Sequence, residues 1–295
     1  MIRTIEDWKK TGISFERQHT GVLYIDHLLC GGTLPGELYG ILAPTGGGKT
    51  TCGVTIAVEV ARGGRRSALF ACDDCDSEIV PRIYTTAAGV PRADARELIT
   101  LNAAAAVFEQ QVAPRMHVFN RADVLQHYAG GSKAIRHILQ TQVDKGQAVD
   151  VVVIDQLMSL VGAHMTAAGL NAETRRDVAV QCLEDLRDIA QTMRCAIFIT
   201  HTVDSKTCAQ TSATMPKIGQ AADVKSFENS LHGCIQFGTR DHAGRRWLVT
   251  TKLRQDIPLR ITVQLSDTHW RIDWDPNLTF CHDGCEFVCC PREDA

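Results

Sequence analysis

A glycine-rich stretch between an apolar run and a helical pattern constrains this chain more than any other feature. The apolar run Leu38–Leu42 predicts a buried strand, and the apolar spacing from Val54 to Ala61 predicts a helix that ends at Gly63. Between them lies the sequence APTGGGKTT, residues 43–51. A strand, a glycine-rich loop and a helix in this order are the elements of a phosphate-binding loop.

Each part of this loop has a chemical reason to bind phosphate. Successive glycines let the backbone fold tightly enough for its N–H groups to converge on phosphate oxygens, and the positive end of the helix points at the same place. Lys49 would reach the β- and γ-phosphates, and Thr50 would hold Mg²⁺. The alternative is a glycine-rich turn with a chance lysine. We predict that a nucleotide binds Ala43, Pro44, Thr45, Gly46, Gly47, Gly48, Lys49, Thr50 and Thr51.

Length and composition favour one large α/β domain with short extensions. The chain has 295 residues, 44% of them hydrophobic, and a formal net charge of −3. This charge does not indicate a globally basic coat for nucleic acid, and no apolar run approaches membrane-spanning length. The N-terminal sequence lacks the pattern of a signal peptide, so we expect a cytoplasmic protein whose twelve cysteines stay thiols.

The residues that lead into the loop resemble a known family. The resemblance rests on Thr20-Gly21, Ile25-Asp26, Leu28-Leu29, Gly31-Gly32 and Gly36-Glu37-Leu38. This order resembles the entry to the RecA-like core shared by DnaB-type helicases, phage primase-helicases, RadA and KaiC. It implies a RecA-like P-loop NTPase domain with three α/β/α layers, which binds ATP and Mg²⁺.

The resemblance covers residues 20–275 and leaves two extensions. Residues 1–19 contain Ile5, Trp8 and Ile13 and predict a short arm, which docks either on its own domain or on a neighbouring subunit. Residues 276–295 form a Cys-rich tail. Its cysteines and His282 are suitable Zn²⁺ ligands, but their spacing differs from the usual C-x₂-C pairs, so a loose, reduced tail is the alternative.

Two carboxylates follow buried strands. The run from Val149 ends at Asp155, and because the carboxyl ends of parallel strands face the ligand, Asp155 is expected to meet the Mg²⁺ that Thr50 holds. Asp73 follows the strand that starts near Arg65. It matches the position of the family's Glu, which is taken to orient the attacking water. Alternatively, Asp74 and Asp76 cap the next helix.

Three more residues match family positions that act on the γ-phosphate. His201 ends the strand that begins at Cys195 and resembles the γ-phosphate sensor of the phage form; a packed histidine is the alternative. The alternating pattern after Leu231 predicts C-terminal antiparallel hairpins at the sheet edge. Lys252 and Arg254 lie two residues apart in one of these strands and therefore share a face. The spacing matches the K-x-R element, which reaches the nucleotide of the next subunit; two ordinary edge-strand cations are the alternative.

Two polar segments are the candidates for contact with nucleic acid. Residues 161–176 read as a polar interruption before a helix at Asp177, and Arg175 and Arg176 suit either a nucleic-acid backbone or a solvated helix start. Residues 203–230 form a long polar stretch with Lys217 and Lys225. Asp223–Ser226 resembles an abbreviated D-L-R-x-S motif, although lysines on such a loop are also ordinary surface.

The resemblance implies a ring, expected to have six subunits, with ATP at each interface. We predict a DnaB-like ATP-dependent helicase core that moves along single-stranded DNA, in the cytoplasm or associated with the nucleoid. Its expected partners are DNA, further copies of itself and replication proteins such as a primase, and not a membrane. The alternative is a KaiC- or RadA-like regulatory or recombination ATPase without unwinding activity, and an open helical filament is a further alternative to the ring.

Overall fold

The computed structural model describes residues 16–126, 131–203, 230–240, 246–253, 259–265, 272–282 and 287–289. Within these ranges the strands are β1 Leu38–Ala43, β2 Ser67–Ala71, β3 Met116–Asn120, β4 Val151–Asp155, β5 Ala196–Thr202, β6 Gly233–Arg240, β7 Arg246–Leu253, β8 Leu259–Leu265, β9 Ile272–His282 and β10 Phe287–Cys289. The helices are α1 Leu23–Leu28, α2 Lys49–Arg62, α3 Asp76–Ala88, α4 Leu98–Gln111, α5 Arg121–Gln126, α6 Gly131–Asp144, α7 Leu157–Ala168 and α8 Arg175–Met193.

All these strands belong to one sheet, in the order β10-β9-β8-β7-β6-β1-β5-β4-β2-β3. Six neighbouring strands run parallel: β6, β1, β5, β4, β2 and β3. Strands β7 to β10 continue the sheet from β6 by antiparallel pairing. Parallel neighbours need crossover connections, and between β1 and β5 helices supply them. This is the predicted RecA-like three-layer α/β/α fold with C-terminal antiparallel hairpins.

Helices cover both faces of the parallel strands. Every residue of β4 is buried, as expected for a central strand with helices on each side. One apolar cluster joins one face to residues of α1–α4, and a second joins the opposite face to residues of α5–α8. Burying a large aliphatic side chain contributes roughly 1.5–3 kcal/mol, so these two clusters hold the layers together.

The entry residues that carry the family resemblance hold the segment before β1 in place. The buried carboxylate of Asp26 accepts hydrogen bonds from the Thr20 amide (2.7 Å), the Thr20 hydroxyl (2.8 Å) and the Gly21 amide (3.1 Å). At Gly32 the backbone φ is +111°, and an added Cβ would lie 2.3 Å from the Gln18 carbonyl oxygen. These contacts fix the path of the chain ahead of β1, over the apolar residues of α1.

The predicted interruption at residues 161–176 is wrong for most of its length. Helix α7 extends to Ala168 and ends at Gly169, which has φ +64°, and α8 begins at Arg175 rather than at Asp177. The buried positions Leu157, Leu160 and Val161 follow a helical spacing that packs on the sheet. Only the short connection between the two helices, with a 3₁₀ turn at Ala172–Thr174, matches the predicted loop.

The predicted domain limits at residues 20 and 275 remain predictions. Residues 1–15, which hold most of the predicted arm, lie outside the described part of the chain. Strand β9 runs across residue 275 to His282, and β10 pairs with it. In the described part of the chain, no helix is long and apolar enough to cross a membrane.

Candidate nucleotide-binding site

The glycine-rich loop turns sharply between β1 and α2. Gly46 and Gly48 have φ values of +68° and +99°, in the left-handed region that favours glycine. Gly47 is required for a different reason: an added Cβ would lie 2.6 Å from the Pro44 carbonyl oxygen and 2.7 Å from the Ala43 Cβ. The Gly47 amide donates to that same carbonyl over 2.8 Å. The loop therefore closes on itself too tightly for a side chain at this position.

The N-terminal end of α2 has the features of an anion-binding site. The N-cap is Gly48, and within the described residues no side chain hydrogen-bonds to cap the helix. The first-turn N–H groups of a helix need partners, and together with the helix dipole they attract phosphate oxygens. The Lys49 side chain begins this turn and is 9% exposed. This arrangement fits the predicted triphosphate site.

Helix α2 packs directly on β4, with Gly53 facing that strand. An added Cβ at Gly53 would lie 3.0 Å from Cγ1 of Val153. Two residues further along β4 is Asp155, and one turn before Gly53 is Thr50, whose nearby hydroxyl lowers the pKa of the Asp155 carboxyl. The glycine therefore lets the loop and the predicted carboxylate meet.

Asp155 is a buried charged group of the site. Its side chain is 2% exposed, and Oδ1 accepts a hydrogen bond from the Thr200 hydroxyl on β5. Among the described residues, Oδ2 has no hydrogen-bond partner. Burial raises the pKa of the Asp155 carboxyl, an effect that the Thr200 and Thr50 hydroxyls and the Lys49 ammonium oppose.

These residues fit the Mg²⁺ ion that the fold implies. A buried carboxylate oxygen without a partner, beside the Thr50 hydroxyl, supplies the hard oxygen ligands that Mg²⁺ prefers. Thr50 and Asp155 would hold the ion, as the sequence predicts, and its charge would offset that of the phosphates.

Asp73 lies at the same edge of the sheet and is exposed. The main-chain N–H groups of Cys72 and Asp73 both donate to the Asp155 carbonyl, over 2.6 and 3.1 Å. The structure thus brings the two predicted carboxylates together. The alternative that Asp74 and Asp76 cap the next helix is wrong. Cys75 is the N-cap of α3, and Asp74 pairs with Arg82 at 2.5 Å.

His201 is 2% exposed near the end of β5. It lies beside Leu42 in the register of β5 and β1, directly before the loop. Because side chains alternate along a strand, His201 and Thr200 face opposite sides of the sheet, so His201 faces away from the side that carries Asp155. Its proposed role as a sensor stays a prediction.

Of the predicted K-x-R pair, the structure describes only Lys252. Lys252 is half-buried on β7 and lies opposite Cys234, next to a register shift between β6 and β7. Arg254 lies outside the described residues. The contact of either residue with a neighbouring nucleotide stays a prediction.

Of the four predicted nucleic-acid residues, the structure describes two. Arg175 and Arg176 are exposed at the start of α8, whereas Lys217 and Lys225 lie outside the described residues. In the described part, no cluster of three or more His, Cys, Asp or Glu could hold a metal ion. The side chains of the Cys-rich tail lie outside that part, and the zinc prediction has no support.

The sequence reasoning missed several polar residues of the site. Thr200 contacts Asp155, and Gln156, Ser159 and Thr202 form further hydrogen bonds around Asp73. Their positions offered a signal, because all four lie at or just beyond the carboxyl ends of β4 and β5, where parallel sheets bind ligands.

The three-layer fold, the tight loop and the buried carboxylate together define a RecA-like nucleotide-binding domain of the ATPase class. A family model described as "AAA domain" matches residues 23–205, more than half of the chain, and the chain therefore belongs to this family. The match begins at α1 and ends just after β5.

Many solved structures are similar to this chain, among them the following two. The "ATPase Domain of G40P" has a TM-score of 0.71 at 12% identity, over 91% of this chain and 95% of that one. A DnaB-like replicative helicase, described with its interactions with primase, has a TM-score of 0.70 at 13% identity, over 91% of this chain and 64% of that one. Such low identities show the fold alone. No curated protein matches the sequence.

Proposed function

We propose that this chain is the ATPase core of a ring-forming, DnaB-like helicase that couples ATP hydrolysis at subunit interfaces to movement along single-stranded DNA. The observation that carries the ATPase part is the buried Asp155, with one unpartnered oxygen, between the Thr50 hydroxyl and the Thr200 hydroxyl. The sequence resemblance and the likeness in fold to helicase ATPase domains support the helicase part.

Each residue of the site has a role in this proposal. Lys49 and the loop N–H groups bind the phosphates, and Thr50 with Asp155 holds Mg²⁺. Asp73 orients the attacking water. His201 responds to the γ-phosphate, and Lys252 and Arg254 of a neighbouring copy stabilise the charge that develops on the transferred phosphoryl group.

A residue supplied by the next copy requires a head-to-tail contact, which closes into a ring or continues as a filament. We propose a ring of six copies around single-stranded DNA, with Arg175, Arg176, Lys217 and Lys225 as the DNA contacts. A primase is the proposed protein partner, because the similar DnaB-like helicase is described with one. Electron microscopy with ATP and DNA distinguishes a closed ring from a filament.

The first test compares ATP hydrolysis with and without single-stranded DNA, together with displacement of a labelled strand. We expect DNA to stimulate hydrolysis and ATP to drive displacement, and we expect Lys49→Ala to abolish both. Hydrolysis without stimulation and without displacement would favour the alternative, a KaiC- or RadA-like regulatory or recombination ATPase. The weak match of Asp223–Ser226 to the DNA-loop motif is the feature that favours this alternative.

The second test asks whether the active site is shared between copies. Lys49→Ala removes the phosphate contact and Arg254→Ala removes the residue supplied in trans, so each variant alone should be inactive. In a random one-to-one mixture, about a quarter of head-to-tail contacts combine an intact loop with an intact arginine, so activity should return in part. An inactive mixture that still assembles, or an active Arg254→Ala protein, would reject the shared site.

A further inference from the structure

The carboxylate of Asp73 accepts hydrogen bonds from two side chains, Ser159 and Gln156, and Gln156 is itself held by Thr202. The Ser159 hydroxyl donates to Oδ1 of Asp73 over 2.6 Å, and the Gln156 amide nitrogen donates to Oδ2 over 3.0 Å. The amide oxygen of Gln156 accepts a hydrogen bond from the Thr202 hydroxyl, also over 3.0 Å. These four side chains form one connected chain, which we call the Asp73 clamp.

The chemistry of the partners fixes the orientation of the Gln156 amide. A carboxylate only accepts hydrogen bonds when it is ionised, so it requires the amide nitrogen on its side. The amide oxygen must then face Thr202, whose hydroxyl donates to it. A flipped amide would place two oxygens together at Asp73, so a single orientation satisfies both contacts.

The clamp connects the strand ends that surround the phosphate loop. Asp73 follows β2, Gln156 follows β4, and Thr202 ends β5 directly after His201. Thr202 lies beside Ala43 in the register of β5 and β1, and the Val203 amide donates to the Ala43 carbonyl over 3.1 Å. Gln156 therefore links the end of β5 to the carboxylate of Asp73 by direct hydrogen bonds.

An exposed aspartate needs such support to act on a water molecule. Its short side chain has little reach, and an error of about 1 Å in the position of a catalytic group costs up to about 100-fold in rate. Each Asp73 oxygen accepts one bond in the clamp and keeps lone-pair capacity for a water. We propose that Gln156 is a positioning residue for ATP hydrolysis, which fixes Asp73 and ties it to the end of β5. This inference rests on the proposed role of Asp73 in ATP hydrolysis.

The chain contains a matched control. Asp185 on α8 accepts hydrogen bonds from a glutamine and a serine in the same way: Gln181 donates to Oδ1 over 3.0 Å and Ser132 to Oδ2 over 2.7 Å. Gln181 is exposed and lies outside the nucleotide site. The same substitution at Gln181 and Gln156 therefore separates the loss of a Gln–Asp contact in general from the loss of the contact to Asp73.

The experiment measures kcat for ATP, the dissociation constant of a non-hydrolysable ATP analogue, and thermal unfolding. We expect Gln156→Ala to lower kcat about 10- to 100-fold, with analogue binding changed less than about threefold. Gln156→Glu should lower kcat more than Gln156→Ala does, because it retains the shape of glutamine but places a carboxylate against Asp73. Gln181→Ala and Gln181→Glu should leave kcat unchanged. If Gln156 only fills space, Gln156→Glu should resemble the wild type more than Gln156→Ala does.

Two further variants test the connection. Thr202→Val removes the donor to Gln156 without changing the shape and should lower kcat by less than Gln156→Ala does. In an Asp73→Ala background, Gln156→Ala should have no additional effect on kcat, because its action passes through Asp73. Full additivity, or folded Gln156 and Thr202 variants with wild-type kcat, would overturn the inference. If the wild type itself hydrolyses no ATP, the proposed function fails instead.

Discussion

The Thr200 hydroxyl on β5 donates a hydrogen bond to Oδ1 of Asp155 on β4, and both side chains are buried. The preceding residues, Ile154 and Ile199, lie side by side in the parallel register, which brings the two polar groups together at the strand ends. One neutral donor satisfies only part of a carboxylate, and Oδ2 has no hydrogen-bond partner among the described residues. The site therefore holds a charge at a cost in stability, as binding sites commonly do.

Because the buried charge of Asp155 lowers stability, we expect Asp155→Asn to stabilise the nucleotide-free protein at pH 8. Burial raises the pKa of the Asp155 carboxyl, so the folded state holds its proton more tightly than the unfolded state. The stability that this group contributes is present at low pH and is lost as the pH rises through its folded pKa. The asparagine carries no charge, so the variant should unfold at a higher temperature at pH 8, and the difference should shrink on acidification.

Thermal unfolding by circular dichroism between pH 4 and pH 8 measures this effect, with Asp150→Asn as the control. Asp150 accepts a hydrogen bond from the Arg66 amide over 2.7 Å and is half-buried, so its substitution should not stabilise the protein. ATP hydrolysis by Asp155→Asn should fall about 100-fold or more, since the loss of a group that stabilises developing charge has effects of this size. A variant less stable than the wild type at pH 8 would contradict the reasoning.

The glycine-rich loop and the central strands could be predicted from the sequence because their signals are local. Asp155 ends an uninterrupted apolar run, and the loop glycines lie between a strand pattern and a helix pattern. The entry residues were recognised only by resemblance. Their physical reason, the hydrogen bonds from Thr20 and Gly21 to Asp26, emerges from the structure.

Other features depend on contacts between distant residues and could not be predicted in this way. Gln156 and Thr202 are 46 positions apart, and their hydrogen bond exists because β4 and β5 are neighbours in the sheet. Helix α7 was missed because Gly162 and the polar residues after it suggest a loop. Packing on the sheet decides in favour of the helix, as tertiary contacts often override local preference.

A methyl group at Gly47 should prevent phosphate binding. In Gly47→Ala the new Cβ would lie 2.6 Å from the Pro44 carbonyl oxygen, so the loop backbone must move. We expect ATP affinity to fall about 100-fold or more, because the loop N–H groups no longer converge on the phosphates. Isothermal titration with an ATP analogue measures the loss.

Gly146→Ala is the control for that substitution. Gly146 follows α6 with φ +72°, and an added Cβ would have no atom within 4 Å. The left-handed backbone should cost about 1 kcal/mol of stability without affecting ATP affinity. Equal ATP affinity in the wild type and Gly47→Ala would show that the loop does not bind phosphate in this form.

The carboxylate of Asp26 should stabilise the entry segment. In Asp26→Ala the donors on Thr20 and Gly21 lose their acceptor, and hydrogen bonds to a charged group contribute about 1.5–3 kcal/mol each. Urea unfolding should show a loss of about 2–4 kcal/mol, since water replaces part of these contacts. Asp26→Asn keeps one oxygen acceptor and should lose less. If both variants match the wild type, the segment does not depend on this carboxylate.

Arg175 and Arg176 should contribute to DNA binding through charge alone. Both are exposed at the start of α8. If each contacts one phosphate of single-stranded DNA, each alanine substitution should reduce the slope of log affinity against log salt concentration by about 0.7. Fluorescence anisotropy of a labelled oligonucleotide, measured with ATP analogue between about 50 and 200 mM salt, gives this slope.

Arg136→Ala is the matched control for these two substitutions, because Arg136 is also helical and pairs with Asp188 at 2.6 Å on the α6–α8 surface. Its removal takes away the same charge and should leave the slope unchanged. If all three substitutions reduce the slope equally, the arginines act only through the net charge of the protein. If only Arg175→Ala and Arg176→Ala reduce it, the start of α8 lies against the DNA backbone, and the unwinding assay with these variants then measures how far translocation depends on that contact.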